Sequence, residues 1–130
     1  MNDNSLLIGK LVYRMLSTDE VLAGMVGKKV FPLVANADTT FPFVVYSRTG
    51  LKVDYCKDGT IENEVEIQVL AVSDNYAQSL EIANQIRRIL ELFRYKDNEL
   101  EVTQSKLTSV QEEYLEDAFI QRLILTLKIK

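Results

Sequence analysis

Histidine is missing from this 130-residue sequence, and cysteine occurs once, as Cys56. Without histidine the chain can build neither a Ser-His-Asp nor a Cys-His catalytic arrangement, and it has no histidine ligand for zinc. A single thiol cannot form an internal disulfide, so the sequence gives no sign of a disulfide-built secreted scaffold. Cys56 also lacks a base that would make it a strong nucleophile, and we expect a passive residue there. We therefore expect a protein that is not an enzyme and holds no metal or cofactor.

Long apolar runs and clusters of basic residues are missing as well. No apolar stretch approaches the about 20 residues of a membrane-spanning helix, and the N-terminus lacks a basic region followed by an apolar run. Fifteen Lys and Arg against 19 Asp and Glu give a formal net charge of −4. The basic residues are scattered, whereas tight nucleic-acid binding needs them clustered to neutralise phosphates. We expect a protein made in a cytoplasm, without membrane attachment and without tight binding to DNA or RNA.

The length and composition predict one globular domain over residues 1–130. Hydrophobic residues make up 47 % of the chain and charged residues 26 %, which is typical of a folded protein and not of a disordered one. A chain of this size buries roughly two thirds of the surface that its unfolded form exposes, which is enough for one core. No internal repeat, low-complexity tract or linker divides it.

Two helices are predicted near the start of the chain from apolar residues at helical spacing. Ser5 is a candidate N-cap for the first helix, which runs to about Leu16. Ser17 and Glu20 have the spacing of a capping box at the start of the second, in which each side chain bonds the other residue's backbone N–H. Gly27 is suited to the left-handed conformation that follows a helix end, so we expect the second helix to stop there.

The longest helix is predicted between about Asp74 and Phe93. Its apolar side chains recur at three- and four-residue intervals, which is typical of a buried stripe. The stripe consists of Tyr76, Leu80, Ala83, Ile86, Leu90 and Phe93. Ile82 and Ile89 widen it beyond what a helix lying on one sheet needs, so we expect both to contact another subunit. Arg87 has two interpretations: solvent exposure with ionic contacts along the helix, or a contact with an acidic segment of a neighbouring subunit.

Five extended segments are predicted from apolar alternation and β-branched residues. They cover residues 29–33, 41–49, 61–72, 99–110 and 118–129. A turn at 94–98 and an acidic connection at 111–117 are predicted between the later elements. Both faces of the last strand are partly apolar, so we expect it to be central in its sheet or covered by another subunit. The order ααβββαββ predicts an α+β fold, an antiparallel sheet with helices packed on one face.

The strand at 61–72 alternates between apolar and acidic residues. Glu62, Glu64 and Glu66 project from one face of it, at intervals of about 7 Å. Grouped carboxylates can bind a metal or transfer protons, but the sequence offers no further ligand to complete such a site. A row of charges on one strand face is ordinarily solvated, and we favour that interpretation.

Residues 51–60 are predicted to form a projecting hairpin arm. Asp58 and Gly59 form a dipeptide that is typical of a tight turn. Val53 and Tyr55 alternate on one side of the arm, and exposed apolar side chains on such an element usually meet a partner. We therefore expect Val53 and Tyr55 to contact another subunit before any other residues do.

Three stretches of the sequence, taken together, carry a family resemblance. Residues 16–32 give a short helix, a glycine stop and a small strand that ends in Phe31-Pro32. Residues 41–46, Phe-Pro-Phe-Val-Val-Tyr, give a proline-led apolar strand. A charged strand, a long helix, a variable region and a closing apolar strand then follow. In these stretches and in their order the sequence resembles the tail-completion and tail-terminator family of long-tailed phages, and the likeness spans nearly the whole chain.

The resemblance implies a structural protein of the virion tail that is assembled in the host cytoplasm. By this hypothesis six copies form a ring that caps the tail tube, ends its polymerisation and presents the surface to which the head joins. Its partners are further copies of the chain, the tail-tube protein and a head-completion protein, while DNA passes through without specific binding. The net negative charge fits such a channel, because clustered cations would retard the passage of DNA.

Two alternatives remain open at this point. A phage head-closure or neck protein would share most of the same pattern and differ in its partners. A small-ligand-binding bacterial domain belongs to another class and would be favoured by a deep pocket lined with tyrosines. The tyrosines available for it are Tyr13, Tyr46, Tyr55 and Tyr76.

Overall fold

Residues 4–55, 59 and 61–130 are described by the computed structural model, and they place helices against one face of a β-sheet. The helices are α1 (Ile8–Thr18), α2 (Glu20–Val26) and α3 (Tyr76–Leu90), with a 3-10 turn at Ser5–Leu7 before the first. The strands are β1 (Val30–Pro32), β2 (Phe43–Tyr55), β3 (Ile61–Ser73), β4 (Tyr95–Lys96), β5 (Glu101–Leu115) and β6 (Ala118–Ile129). The α+β fold predicted from the sequence is confirmed.

In the described residues the sheet has six strands in the order β1-β2-β3-β6-β5-β4. Each of the central strands β2, β3, β6 and β5 is antiparallel to its neighbour, whereas β1 runs parallel to β2. β6 pairs with both β3 and β5, so the last strand is central in its sheet, as predicted. The short strand β4 forms where a turn was predicted, because Tyr95 and Lys96 pair with the start of β5.

Alternation along the strands gives the sheet two different faces. Toward the helices lies the covered face, where α3 packs on β3 and β6 and α1 packs on β1 and β2. Its buried side chains from β3 and β6 include Val65, Ile67, Val69, Ala71, Leu123, Leu125, Leu127 and Ile129. On the opposite face, the open face, most of the intervening side chains are partly or fully exposed. A strand with one packed and one wet face has a period of two, which explains why the sequence pattern predicted this division.

The first two helices begin differently from the prediction. Ser5 lies inside the 3-10 turn and is buried there, and the α-helix itself begins at Ile8. Asp19, and not Ser17, caps α2, because its Oδ2 accepts the backbone N–H of residue 22 at 2.9 Å. Ser17 is not available as a cap, since α1 continues past its predicted end and includes it. Gly27 ends α2 with a φ of 65°, which is the positive φ expected of it.

The third helix is shorter than predicted, and its buried stripe is rotated. Asn75 caps it by accepting the backbone N–H of Gln78 at 2.9 Å, and it ends at Leu90. Tyr76 is 44 % exposed whereas Ile82 is 0 % exposed, so the predicted stripe was wrong in its N-terminal half. The reason is that α3 packs against α1 and α2 as well as against the sheet, which buries a side that a helix lying on a sheet alone would expose.

The fifth strand extends through the segment that was predicted as an acidic connection. It runs to Leu115, and a two-residue turn at Glu116 and Asp117 leads directly into β6. Both turn residues have positive φ, 52° and 63°, as tight hairpin turns require. The sheet therefore contains two long hairpins, β2–β3 and β5–β6. The hairpin ends at which β3 and β6 begin lie at opposite ends of the sheet, because these two neighbouring strands are antiparallel.

Candidate functional site: the exposed hairpin ends

The predicted arm is the outer part of the β2–β3 hairpin. Val53 lies opposite Asn63, and Tyr55 follows two residues later on the same side of the strand. Val53 is half-buried, whereas Tyr55 is 77 % exposed. The structure thus brings the two candidate interface residues together on one side of the arm. Of the residues predicted for its tip, Cys56 and Asp58 lie outside the described residues.

The candidate interface residues on α3 have three different surroundings. Ile82 is fully buried between the helices and the sheet, so its side chain belongs to the core, which corrects the prediction that it contacts a neighbour. Ile89 is partly buried and packs against the same core. Arg87 is exposed, and its Nε donates to Glu91 Oε1 at 3.0 Å, one helical turn away. The solvent-exposed interpretation of Arg87 therefore describes this chain, and an inter-subunit contact of Arg87 stays a prediction.

An aromatic cluster that the sequence interpretation missed lies at the end of the β5–β6 hairpin. The ring of Phe119 lies 4.8 Å from that of Tyr114 and 5.5 Å from that of Tyr76, measured between centroids. Tyr76 comes from the first turn of α3, and the other two face each other across the hairpin. Tyr114 is 60 % exposed and Leu115 beside it is also exposed. This hairpin end is thus fixed to the helix on one side and exposes apolar surface on the other.

Glu112 ties the same hairpin to α3 and to its own partner strand. Its carboxylate accepts the hydroxyl of Tyr76 at 2.9 Å and the side-chain amide of Gln121 at 3.0 Å. The bond from Gln121, with that from Tyr76, lowers the pKa of Glu112 below its ordinary value. The bond to Glu112 in turn raises the pKa of Tyr76, because the carboxylate favours the protonated phenol. On the other face of the hairpin, Arg122 donates to Glu113 at 2.6 Å.

A signal for this second hairpin end was present in the sequence. Val110, Glu112 and Tyr114 continue the two-residue alternation of β5 onto one side of the strand. Val110 is 51 % exposed and Tyr114 is exposed as well, so this side of the strand presents apolar side chains to solvent. The acidic residues around it have the composition of a loop, and the turn contains no glycine. Because of these two features, the segment 111–117 was predicted as an acidic connection and not as a continuation of the strand.

The open face of the sheet carries a second aromatic group at the same end. Phe41 stacks on Phe43 with a ring separation of 5.8 Å, and Phe31 meets Phe43 edge to face at 6.4 Å. Phe43 is followed across the sheet by Val72 and Ile120, which lie opposite one another in register. This part of the open face is therefore more apolar than a solvated sheet face requires.

The glutamate row lies at the opposite end of the open face and has ordinary surface partners. Glu62 lies 3.5 Å from the ammonium group of Lys128, and the hydroxyl of Thr49 donates to Glu66 at 2.7 Å. Among residues 4–55, 59 and 61–130, no group of three His, Cys, Asp or Glu side chains stands close enough to hold a metal ion. Nor does any helix in these residues combine the length and apolar character needed to cross a membrane.

An open groove of about 650 Å³ separates α1 from the ends of the sheet. Tyr13 and Tyr46 line it with ring centroids 6.2 Å apart, while the other two candidate tyrosines lie elsewhere. Opposite them, Arg14 donates to the hydroxyl of Tyr95 at 2.6 Å, and that hydroxyl donates to Asp97. The bond from Tyr95 and two backbone N–H bonds lower the pKa of Asp97. Three polar side chains of the groove thus bond one another, and Arg14 and Tyr95 join α1 to β4.

Comparison with known proteins gives one family and one fold. The family model described as tail completion protein gp17 matches residues 10–129, which is nearly the whole chain. None of the curated proteins matches the sequence. Among solved structures, a chain of the virion of a native gene transfer agent particle is similar, with a TM-score of 0.77 and 18 % identity. That match covers 91 % of this chain and 90 % of the other, and it establishes a common fold.

Proposed function

We propose, from the premise that this chain belongs to the tail completion protein gp17 family and is a structural protein of phage tails, that it acts by assembling into a ring. Six copies close head to tail on the end of the tail tube, stop its elongation and present the surface to which the head joins. The ring remains in the virion tail, its partners are the tail-tube and head-completion proteins, and no catalytic step takes part. A ring of this kind uses heterologous contacts that close after a fixed rotation.

The observation that carries this proposal is the exposure of apolar side chains at both hairpin ends. Tyr55 is exposed at one end, and Tyr114 and Leu115 are exposed at the other. Apolar side chains that are exposed close together at the end of an element often mark a surface that a partner buries. A heterologous contact requires two different surfaces on one chain, and the two hairpin ends supply such a pair.

The charge of the chain supports the passage of DNA through the ring. The formal net charge is −4, and Glu62, Glu64 and Glu66 remain exposed on the open face. Phosphates gain affinity from clustered cations, so a channel built from this chain does not hold DNA by its charge. The proposal therefore assigns the DNA no binding site on the protein.

Solution mass is the direct test of the ring. Light scattering during size exclusion, with negative-stain images of any large peak, is expected to give six copies in a ring with an open centre. A strict monomer at high protein concentration would contradict self-assembly by the free chain. A closed ring of another copy number would keep the capping mechanism and correct the number six.

Charge placed on the predicted arm tests whether the arm mediates assembly. Val53→Asp with Tyr55→Ser is expected to give a folded monomer that forms no rings, because a buried interface does not accept an unpaired carboxylate. Circular dichroism checks the fold and light scattering the mass. Val21→Asp, at an exposed apolar position on α2, is the matched control and should keep the ring. Intact rings in the double variant would remove the arm from the interface.

A second candidate function, binding of a small ligand, is favoured by the groove beside α1. The groove is large enough for a small molecule and is lined by Tyr13, Tyr46 and Tyr95. Two features weigh against it: Arg14, Tyr95 and Asp97 already bond one another, and the family places the chain among tail proteins. A strict monomer in the mass experiment would make this groove the leading candidate.

A further inference from the structure

The outer strands of the sheet are each covered along only part of their length. β1 pairs with residues 44–46 of β2, and β4 pairs with residues 101–102 of β5. In the part of the chain that the structure describes, residues 47–55 of β2 and 106–115 of β5 have no strand on their outer side. The two open edges lie on opposite sides of the sheet, one on β2 and one on β5. They also lie at opposite ends of it, because β1 covers the start of β2, β4 covers the start of β5, and β2 and β5 run in opposite directions. Unpaired edge strands are ready templates for pairing with another chain.

We infer that the open edge of β5 in one copy pairs with the open edge of β2 in the next, so that one continuous sheet runs around the assembly. The inference rests on the proposed ring and names the contact that closes it. The partner is a second copy of this chain, because the two edges match in three respects. They are similar in length, they meet antiparallel, and they carry opposite net charge.

The directions of the strands permit this pairing without inverting a subunit. β2 and β6 run one way, and β3 and β5 run the other way. When successive copies have the same orientation, β5 of one copy therefore lies antiparallel to β2 of the next. This is the relation that neighbouring central strands already have within one copy. The pairing is heterologous, since each copy uses one edge on either side, and such contacts build rings.

The charges of the two edges are complementary. The β2 edge contains Arg48 and Lys52 against Asp54, one positive charge in excess. The β5 edge contains Lys106 against Glu112 and Glu113, one negative charge in excess. An edge with a positive excess attracts an edge with a negative excess, so the net charges favour the heterologous pairing of β2 with β5.

Side-chain direction limits the register of the pairing. Leu51 lies opposite Val65, and Val110 lies opposite Leu123, so both are on the covered side of the sheet. A slip of one residue would turn one of them to the open face. The register that joins the middles of the two edges without such a slip places Leu51 of one copy beside Val110 of the next.

This register also gives the tilt that a closed sheet requires. Leu51 is level with Val65 of β3, and Val110 is level, through Leu123, with Val69 of β3. Successive copies are therefore displaced along the strands by four residues, or about 13 Å. Each copy adds four strands, or about 19 Å, to the sheet. A displacement of about 13 Å over about 19 Å tilts the strands by about 35°, which lies in the range of closed β-barrels.

Each open edge also carries one β-bulge. The register shifts between Arg48 and Gly50 on β2 and between Leu107 and Ser109 on β5. Bulges increase local twist and are common at barrel rims, and on an edge they prevent indiscriminate pairing. An edge of this kind accepts a matching edge in a set register and disfavours arbitrary strands.

Disulfide cross-linking between copies tests the pairing. Within one chain Leu51 and Val110 are separated by three strand spacings, or about 14 Å, across the sheet and by a further four residues along it, so a disulfide between them joins only two different copies. In a Cys56→Ser background, Leu51→Cys with Val110→Cys is expected to give, on oxidation, a ladder of covalent oligomers that ends at the copy number of the ring. Each single variant can form no product larger than a dimer. Leu51→Cys with Arg88→Cys, which moves one thiol to exposed α3, is the matched control and should give no ladder.

The outcomes separate this inference from the proposed ring. Rings in light scattering without a ladder would overturn the edge pairing and leave the ring proposal standing. A ladder that continues without an upper limit would support the edge pairing and contradict a closed ring. Neither rings nor a ladder would contradict both.

Discussion

The two long hairpins share the same strand pairing but differ in their support. At the β5–β6 end, Tyr114 and Phe119 pack with Tyr76 of α3 around a common aromatic contact. At the β2–β3 end, Tyr55 is 77 % exposed, and among the described residues its side chain has no aromatic or hydrogen-bonding partner. One hairpin end is therefore anchored to a helix, whereas the other has no such anchor among the described residues. The same element thus packs against a helix at one end of the sheet and stands exposed at the other.

Truncation of one aromatic residue at each hairpin end should show this difference in support most clearly. Phe119→Ala is expected to lower the free energy of unfolding by about 2 kcal/mol, below the full-core range because Phe119 is partly exposed. Tyr55→Ala is expected to change it by no more than about 0.5 kcal/mol, as is usual for an exposed position. Urea denaturation of each variant measures both values. Similar losses in the two variants would mean that the free end is anchored as well.

The denaturation must be compared between species of the same mass. Assembly adds stability that depends on protein concentration, and Tyr55 lies in the predicted interface. The expected values therefore refer to dilute monomer, where the two hairpin ends differ only in their contacts within the chain. A dependence of the Tyr55→Ala effect on concentration would belong to the interface and not to the fold.

The tight turn of the anchored hairpin should give a smaller effect of opposite sign. Glu116 has a φ of 52°, a left-handed conformation that costs an ordinary residue about 1–2 kcal/mol and that asparagine adopts more readily. Glu116→Asn is expected to raise the free energy of unfolding by about 0.5 kcal/mol. Glu116→Ala removes the same charge without the preference for this conformation and serves as the control. An equal gain in both variants would assign the effect to charge and not to the backbone.

The comparison also shows which features the sequence could predict. The arm at the β2–β3 end was predicted because Asp58-Gly59 is a recognised turn dipeptide, and β3 because its glutamates alternate with apolar residues. The β5–β6 turn consists of Glu116 and Asp117, neither of which has the signal of a glycine. The fold class followed from alternation and helical spacing alone. The second hairpin end did not, because acidic residues in a strand have the composition of a loop.

The surroundings of the residues on α3 were harder to predict for a different reason. Helical spacing gives the width of an apolar stripe but not which neighbours cover it. The spacing predicts that Ile82 is surplus for a helix on one sheet, but it is buried because α1 and α2 also pack against α3. The same spacing places Tyr76 in the stripe, whereas it lies beside the β5–β6 hairpin. Tertiary packing of three helices decided both positions, and no local pattern records it.

The smallest expected difference between the hairpins is a dependence of stability on pH at the anchored end. Hydrogen bonds from Gln121 and Tyr76 hold the pKa of Glu112 below the ordinary value of 4.5 in the folded chain. As the pH falls, the Glu112 carboxylate is protonated in the unfolded chain before it is protonated in the folded chain. The hydrogen bonds therefore contribute their full stability above about pH 4.5. That contribution is lost as the pH falls through the lower pKa of the folded state.

Glu112→Gln is therefore expected to be less stable than the native chain at pH 6, and the difference should shrink at pH 3. Thermal unfolding at both values measures it. Asp97 also has a lowered pKa, but it is present in both proteins, so the difference between them isolates Glu112. Glu81→Gln, which makes the same charge change on exposed α3, should parallel the native chain at both pH values. A Glu112→Gln curve that also parallels the native one would show that Glu112 is not an acid-sensitive anchor, and the β5–β6 end would then be held by its aromatic contacts alone.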